Sequence, residues 1–327
     1  MVFVELITLV IFVAILAKAS ETVVENAEKL AVFFGISTLA VGMLLVAVST
    51  SLPELAVSVA SSSAKQGAIA AGNVFGSNIA NILVILGIGA AMYGFRVGKE
   101  SLKDLALVLL LTTLISVYIV YHTVLVGGGA LGFAEGALLL LIFAWYAWRM
   151  VTRKKVADAR GGAKIGKKEG LRAFLFFVAG VIVVIISSNF VVESAVKLAD
   201  MAGLAKSFIG ATLIALGTSL PELSIDLQAI RRKQFGLALG DAIGSNMANV
   251  TLVLGAAAAI SPIVVSLSVF SAALLFAVVA NMVFFYHAVV SGKFGRREGI
   301  AMLALYVVFL AAIFYLQFGE AAAAAIS

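Results

Sequence analysis

The sequence predicts an all-α integral membrane protein with about ten transmembrane helices arranged as two inverted five-helix repeats. Three observations lead to this prediction. Of the 327 residues, 63% are hydrophobic and 12% are charged, which is about half the charge of a typical soluble domain. The apolar residues fall into about ten runs, each near the roughly 20 residues that a helix needs to cross a bilayer. Finally, the second half of the chain repeats motifs of the first at a constant offset.

Most of the predicted spans are separated by short polar segments. The first span is interrupted by Lys18, Glu21, Glu25 and Glu28, but its apolar residues continue at helical spacing. We therefore expect one long helix with a polar face. The spans are predicted at 2–31, 38–64, 68–93, 104–122, 130–150, 171–198, 206–230, 236–259, 266–288 and 299–318.

Basic residues alternate between the connections. Lys and Arg follow spans three, five, seven and nine, whereas the connections after spans four and eight contain neither. The positive-inside rule places the basic connections in the cytoplasm and both termini outside. The glycine- and lysine-rich segment 151–170 is predicted as a cytoplasmic linker between the first repeat, 1–150, and the second, 171–327. The net charge of +6 is thus a topology signal of a multi-pass cell-membrane protein and does not indicate a nucleic-acid partner.

The internal repeat is gapless across two motifs. The sequence TSLPEL at 50–55 recurs at 218–223, and GSN at 76–78 recurs at 244–246, each 168 residues later. With five spans in each half, the second half must enter the membrane in the opposite orientation. Inverted repeats are typical of secondary transporters, whose substrate site lies at the bilayer midplane where the repeats meet.

A glutamate sits near the middle of the second and seventh spans. Placing a charged side chain at this depth costs several kcal/mol, about 2.5 to 3.5 on insertion scales. Glu54 and Glu222 have no Lys or Arg within their motifs, so we expect them to face a bound cation.

The residues around these glutamates offer mainly oxygen. Pro53 and Pro221 lack an N–H and so leave a carbonyl one turn back without its helical partner. The chain has no cysteine and only two histidines, and an oxygen-only set suits a hard cation such as Ca²⁺ or Na⁺. Ser and Thr hydroxyls in membrane helices often bond the backbone of their own helix. For each of them, this structural role therefore stays open beside the role of cation ligand. The predicted ligands are Glu54, Glu222, Asn81, Asn249, Ser51, Ser219, Thr50, Thr218, Ser77, Ser245 and the carbonyl groups of Ala47 and Ala215, with Asp226, Asp241 and Asn73 as possible accessory residues.

At these motifs the sequence resembles the calcium/cation antiporter superfamily, in particular the prokaryotic sodium/calcium exchangers, whose two repeats carry G-T-S-x-P-E and G-S-N-x-x-[ND]. The resemblance implies exchange of Ca²⁺ for Na⁺ by alternating access. It also implies four clustered cation sites that share Glu54 and Glu222, and a first and sixth span that slide together as a gate. Neither a cofactor nor an enzymatic activity is expected.

The sequence departs from the family motifs at several positions. Ser49 replaces the first motif glycine, and Asn249 stands where some relatives have Asp. Asp241 and Asp226 occupy the positions equivalent to Asn73 and Ser58, which adds two acids in the second half only. Because these acids could tune proton coupling or cation choice, a proton/calcium exchanger of the same fold is the main alternative.

Two further classes of protein fit the sequence less well. Leu239-Gly240-Asp241 resembles part of the motif of intramembrane aspartyl proteases, but position 238 is Ala and the chain has no Tyr-Asp pair. A passive channel does not need two buried acids in broken helices. The protease reading also leaves the repeat unexplained, and saturable exchange that depends on a counter-ion would exclude a channel. The sequence does not indicate an oligomeric state.

Overall fold

The computed structural model describes residues 2–125, 131–152, 165–201, 217–264 and 267–326, which are almost entirely helical. Two short strands are the exception. The strands are β1 (Phe95–Arg96) and β2 (Lys293–Phe294). The helices are α1 (Val2–Phe34), α2 (Thr38–Thr50), α3 (Leu52–Ser63), α4 (Gly67–Met92), α5 (Lys99–Leu125), α6 (Phe133–Thr152), α7 (Lys167–Met201), α8 (Leu220–Arg231), α9 (Phe235–Ile260), α10 (Leu267–Val290) and α11 (Arg296–Ile326).

The helices match the predicted spans wherever the chain is described. Eight of them are long and apolar enough to cross a membrane, and α2 and α3 together form a ninth candidate that is bent by 44°. The first helix is continuous through its charged residues, as predicted. The predicted span 206–230 is described only from residue 217, where it contributes α8, and most of the linker 151–170 lies outside the described residues.

The chain forms two compact units, and each takes residues from both sequence halves. Unit 1 contains Met1–Pro53 and Ala147–Ser245, and unit 2 contains Glu54–Tyr146 and Asn246–Ser327. The compact units therefore do not coincide with the sequence repeats, because helices distant in the chain pack together.

In unit 1, α1 packs along α7. Phe12 and Phe190 stack with ring centroids 4.2 Å apart, and a Cβ added to Gly180 would lie only 2.9 Å from Cγ2 of Val23. Helix α2 also lies close to the first part of α9, where a Cβ on Gly240 would collide with the carbonyl oxygen of Leu39. Small residues thus allow the close backbone approach that membrane helices use in place of the hydrophobic effect.

In unit 2, two short backbone pairings connect loops at the helix ends. Strands β1 and β2 are antiparallel and pair Arg96 with Lys293, which joins the basic connections after the predicted third and ninth spans. Leu131 pairs with Ile263, and both residues flank connections that have no Lys or Arg. Each pairing therefore joins connections that the charge pattern assigns to the same side of the membrane.

Candidate functional site

Both glutamates lie in the first turn of a helix that follows a short non-helical turn. Helix α2 ends at Thr50, Ser51 has φ −78° and ψ 6°, and α3 begins at Leu52. Glu222 has the same place in α8, which follows Ser219 and carries Pro221 in its first turn. Because Pro53 cannot donate a hydrogen bond, the helix is interrupted where the sequence predicted it.

Among the described residues, three segments of the motif helices are π-helical: Gly42–Val46, Asn81–Ile85 and Asn249–Val253. The last two begin at asparagines that are repeat equivalents, since 249 − 81 is 168. Single π-turns inside α-helices are frequent at functional sites. No pattern in the sequence predicted these π-turns.

In unit 2, Glu54 is fully buried and lies beside polar side chains of α4. The Ser77 hydroxyl donates to Glu54 Oε1 at 3.4 Å. Asn73 Nδ2 donates to the Glu54 carbonyl oxygen at 3.1 Å and to Ser58 Oγ at 3.0 Å. Asn73 therefore fixes the backbone of Glu54 and the hydroxyl one turn further along α3, a role that its position alone did not reveal.

Four asparagines of unit 2 are linked by hydrogen bonds in the order Asn81, Asn246, Asn78 and Asn249. We call this group the asparagine ring because its central pair, Asn78 and Asn246, is closed by two reciprocal bonds. Asn81 Nδ2 donates to Asn246 Oδ1, and Asn249 Nδ2 donates to Asn78 Oδ1, both at 3.0 Å. All four are buried, and Oδ1 of Asn81 and of Asn249 have no hydrogen-bond partner in the structure. The ring thus presents two amide oxygens, one from each sequence repeat, as potential cation ligands.

In unit 1, hydroxyl groups of α2 and α9 converge on a carboxylate. Asp241 Oδ1 accepts from Thr50 Oγ1 at 3.2 Å and from Ser245 Oγ at 3.3 Å. Thr50 also bonds the Val46 carbonyl oxygen at 3.2 Å, and Ser245 lies 3.5 Å from the Ala47 carbonyl oxygen. The predicted ligands Ala47, Thr50 and Ser245 are therefore close neighbours, and Asp241 lies among them.

The structure describes all but one of the other predicted ligands of unit 1. Ser51, Ser219 and Glu222 are buried, and Ser51 Oγ has no hydrogen-bond partner in the structure. Thr218 is half-buried. Ala215 lies outside the described residues.

The chemistry of both groups of residues is that of oxygen donors. Among the described residues, no three His, Cys, Asp or Glu side chains come together as a metal-binding group. A cation held here must then take hydroxyl, amide and carbonyl oxygens besides carboxylates, which is the ligand set of hard cations. A buried carboxylate that stays ionised needs a positive charge or hydrogen-bond donors nearby to offset its loss of hydration.

Sequence reasoning did not find how the asparagine ring is built. Asn78 and Asn246 connect α4 to α9, and their side-chain oxygens orient Asn81 and Asn249. The repeated GSN motif was the signal that could have led to this geometry, since it places an asparagine three residues before each predicted ligand.

The chain is similar to known membrane transporters along almost its whole length. The family model described as sodium/calcium exchanger protein matches residues 4–152 and 172–315. Inner membrane protein YrbG of Escherichia coli is 30% identical over 94% of this chain and 96% of its own length. Sodium/calcium exchanger MaX1 of Methanosarcina acetivorans is 28% identical over 97% of this chain and 100% of its own length.

Solved structures of the sodium-calcium exchanger NCX_Mj have the same fold. One of them, from a crystal soaked with zero Na⁺ and Ca²⁺, superposes with a TM-score of 0.82 at 27% identity and covers 95% of this chain and 99% of the other. The family match, the relatives and the fold all point to exchangers of hard cations, and the oxygen donors of the motif residues are ligands that such cations prefer. The chain belongs to the sodium/calcium exchanger protein family.

Proposed function

We propose that this protein exchanges Ca²⁺ for Na⁺ across the cell membrane by alternating access, and that the repeated motifs supply the cation ligands. The family and fold are those of membrane transporters that exchange cations, calcium among them. The choice of sodium as the counter-ion, and the residues that bind each ion, are the parts that we add.

The observation that carries this proposal is the pair of open amide oxygens in the asparagine ring. A buried amide oxygen normally has a hydrogen-bond partner, yet Oδ1 of Asn81 and of Asn249 has none in the structure. Both Nδ2 groups are fixed by the ring, so the oxygens cannot exchange places with them without losing those bonds. A dehydrated cation bound at such an oxygen would supply the missing partner.

Two relatives support sodium as the counter-ion. MaX1 is named a sodium/calcium exchanger, and NCX_Mj was studied in crystals soaked with sodium, calcium and strontium. Proton/calcium exchange is the second candidate, because Asp226 and Asp241 add two buried acids to unit 1.

For the membrane arrangement we propose two inverted repeats, both termini outside and the linker 151–170 in the cytoplasm. The pairing of β1 with β2 joins two basic connections, and the pairing of Leu131 with Ile263 joins two uncharged ones. Both pairings agree with the alternation of charge that the positive-inside rule reads as topology.

The test is calcium flux in proteoliposomes with separate sodium and pH gradients. We expect outward sodium gradients to drive calcium uptake at fixed pH, and protein-free vesicles to take up none. Uptake that requires a pH gradient and is indifferent to sodium would establish the proton-coupled alternative. Calcium entry that needs no counter-ion would contradict exchange altogether.

A further inference from the structure

A groove lies between the end of α10 and the start of α11 in unit 2. Its volume is about 380 Å³, and most of the side chains that line it are apolar. Phe294 and Met302 are buried in it, whereas Met282 and Tyr286 are 64% and 68% exposed. Because these residues belong to the ends of two membrane spans, the groove opens toward lipid near the membrane surface, where tyrosine is enriched.

The groove also has polar residues, which are held by the connection between the two helices. His287 and Glu298 line it. His287 Nε2 lies 2.9 Å from the Lys293 carbonyl oxygen, and Glu298 Oε2 accepts from Gly295 N at 2.9 Å. The Glu298 carboxylate thus caps the start of α11, and the groove adjoins the segment that carries the basic residues.

Four exposed basic residues lie on the paired connections here, and we call them the basic cluster: Arg96, Lys293, Arg296 and Arg297. Strands β1 and β2 hold Arg96 and Lys293 directly opposite each other, an arrangement that destabilises a strand pair when the charges are alike. Arg296 and Arg297 open α11, where the helix dipole disfavours cations. Within the described part of the chain, none of the four side chains forms an ion pair. An anion would relieve both unfavourable placements.

The aromatic face of the strand pair joins the basic cluster to the groove. Phe95 and Phe294 stack with ring centroids 4.7 Å apart, and Phe294 also stacks on Phe284 of α10 at 4.9 Å. Successive side chains of a strand point to opposite faces, so Arg96 and Lys293 lie on the other face of the same pair. The stacked rings therefore fix the positive charges next to the apolar groove.

We propose that the groove and the basic cluster form a binding site for one anionic phospholipid, with an acyl chain in the groove and the phosphate group on the basic cluster. Basic pockets between membrane helices are suited to anionic headgroups, and guanidinium groups bind phosphate through paired hydrogen bonds. A neutral lipid would leave the charges uncompensated, and a soluble anion would leave the groove unfilled. The inference does not depend on which ions the protein exchanges.

The test is lipid binding to the purified full chain in a neutral detergent. The probe is dioleoyl phosphatidylglycerol, and native mass spectrometry counts the lipids that each chain retains. We expect one molecule to bind more tightly than dioleoyl phosphatidylcholine, which has the same chains. R296Q/R297Q should weaken its binding by about fivefold for each arginine removed. The control K167Q/K168Q removes two exposed basic residues at the start of α7 and should bind as the unmodified chain does.

A second pair of variants tests the groove. Ala301 lines it and is exposed, so A301F should fill the space of the acyl chain and weaken binding of phosphatidylglycerol. A311F adds the same ring at an exposed position of α11 that does not line the groove, and it should leave binding unchanged. If A301F does not fold, A301L and A311L take the place of this pair.

Four results would overturn the proposal. Equal retention of the two lipids would indicate unselective lipid around the protein. An equal loss in K167Q/K168Q would indicate general attraction to positive charge. Unchanged binding in the folded Ala301 variant would exclude the groove. Displacement of the lipid by an equal concentration of glycerol phosphate would indicate a site for a soluble phosphate. Because no transport is measured, this inference and the proposed exchange fail separately.

Discussion

Asn78 and Asn246 bind each other reciprocally through their main chains. Nδ2 of Asn78 donates to the Asn246 carbonyl oxygen at 3.3 Å, and Nδ2 of Asn246 donates to the Asn78 carbonyl oxygen at 3.1 Å. Their side-chain oxygens then accept from Asn81 and Asn249. One pair of residues thus fixes two helices and orients two predicted ligands.

The asparagine ring makes unit 2 sensitive to Asn246. We expect Asn246→Ala to lower the free energy of unfolding by about 1–3 kcal/mol, because the Asn78 carbonyl and the Asn81 amide lose buried partners. Thermal unfolding in detergent measures this. Asn26→Ala is the control, since Asn26 bonds only the Thr22 carbonyl of its own helix and should change stability less. An equal loss in both variants would contradict the ring's structural role.

Removing either motif carboxylate is expected to abolish calcium exchange without unfolding the protein. Glu54→Gln and Glu222→Gln each remove a charge that attracts the cation, but they also remove a costly buried anion. Calcium uptake by proteoliposomes measures the loss. The control is Glu135→Gln, because Glu135 accepts from Gly132 N at the start of α6 and should leave uptake nearly intact. Near-normal uptake by Glu54→Gln or Glu222→Gln would refute their assignment as ligands.

The proposed exchange should respond to membrane potential. If three Na⁺ leave for each Ca²⁺ that enters, one positive charge moves outward, and an interior-positive potential should accelerate calcium uptake into sodium-loaded vesicles. Moving one charge through 100 mV is worth about 2.3 kcal/mol. Potentials set with a potassium ionophore provide the measurement. Rates that ignore the potential but follow a pH gradient would favour the proton-coupled alternative.

The predicted orientation can be tested with single cysteines, because the chain has none of its own. In intact cells, a cysteine at Ala325 should react with an impermeant thiol reagent, whereas one at Ala159 should react only after permeabilisation. The unmodified chain is the control for background labelling. The opposite labelling pattern would reverse the assignment from the basic connections.

The sequence predicted the helices well because length and hydropathy dictate them once the solvent is lipid. The break after Thr50 was also predictable, since Pro53 removes a helical donor. The mixing of sequence halves in the two units was not predictable, because it depends on contacts such as Phe12 with Phe190, which are distant in the chain.

For the candidate site, residue types indicated oxygen ligands but gave no side-chain direction. Asn81 and Asn249 were predicted as ligands from their motif, and this role stays a prediction. Their Oδ1 atoms lack a hydrogen-bond partner because their Nδ2 groups are held by Asn246 and Asn78 on the neighbouring helix.

The matching π-turns also bear on ancestry. A π-turn holds one residue more than the α-helical turn it replaces, which is the geometry that a one-residue insertion into a helix would produce. Because turns of equal length start at Asn81 and at Asn249, we infer that the insertion was already present in a single ancestral half before that half was duplicated. Both copies have since kept the extra residue, although Asp226 and Asp241 show that neighbouring positions have diverged.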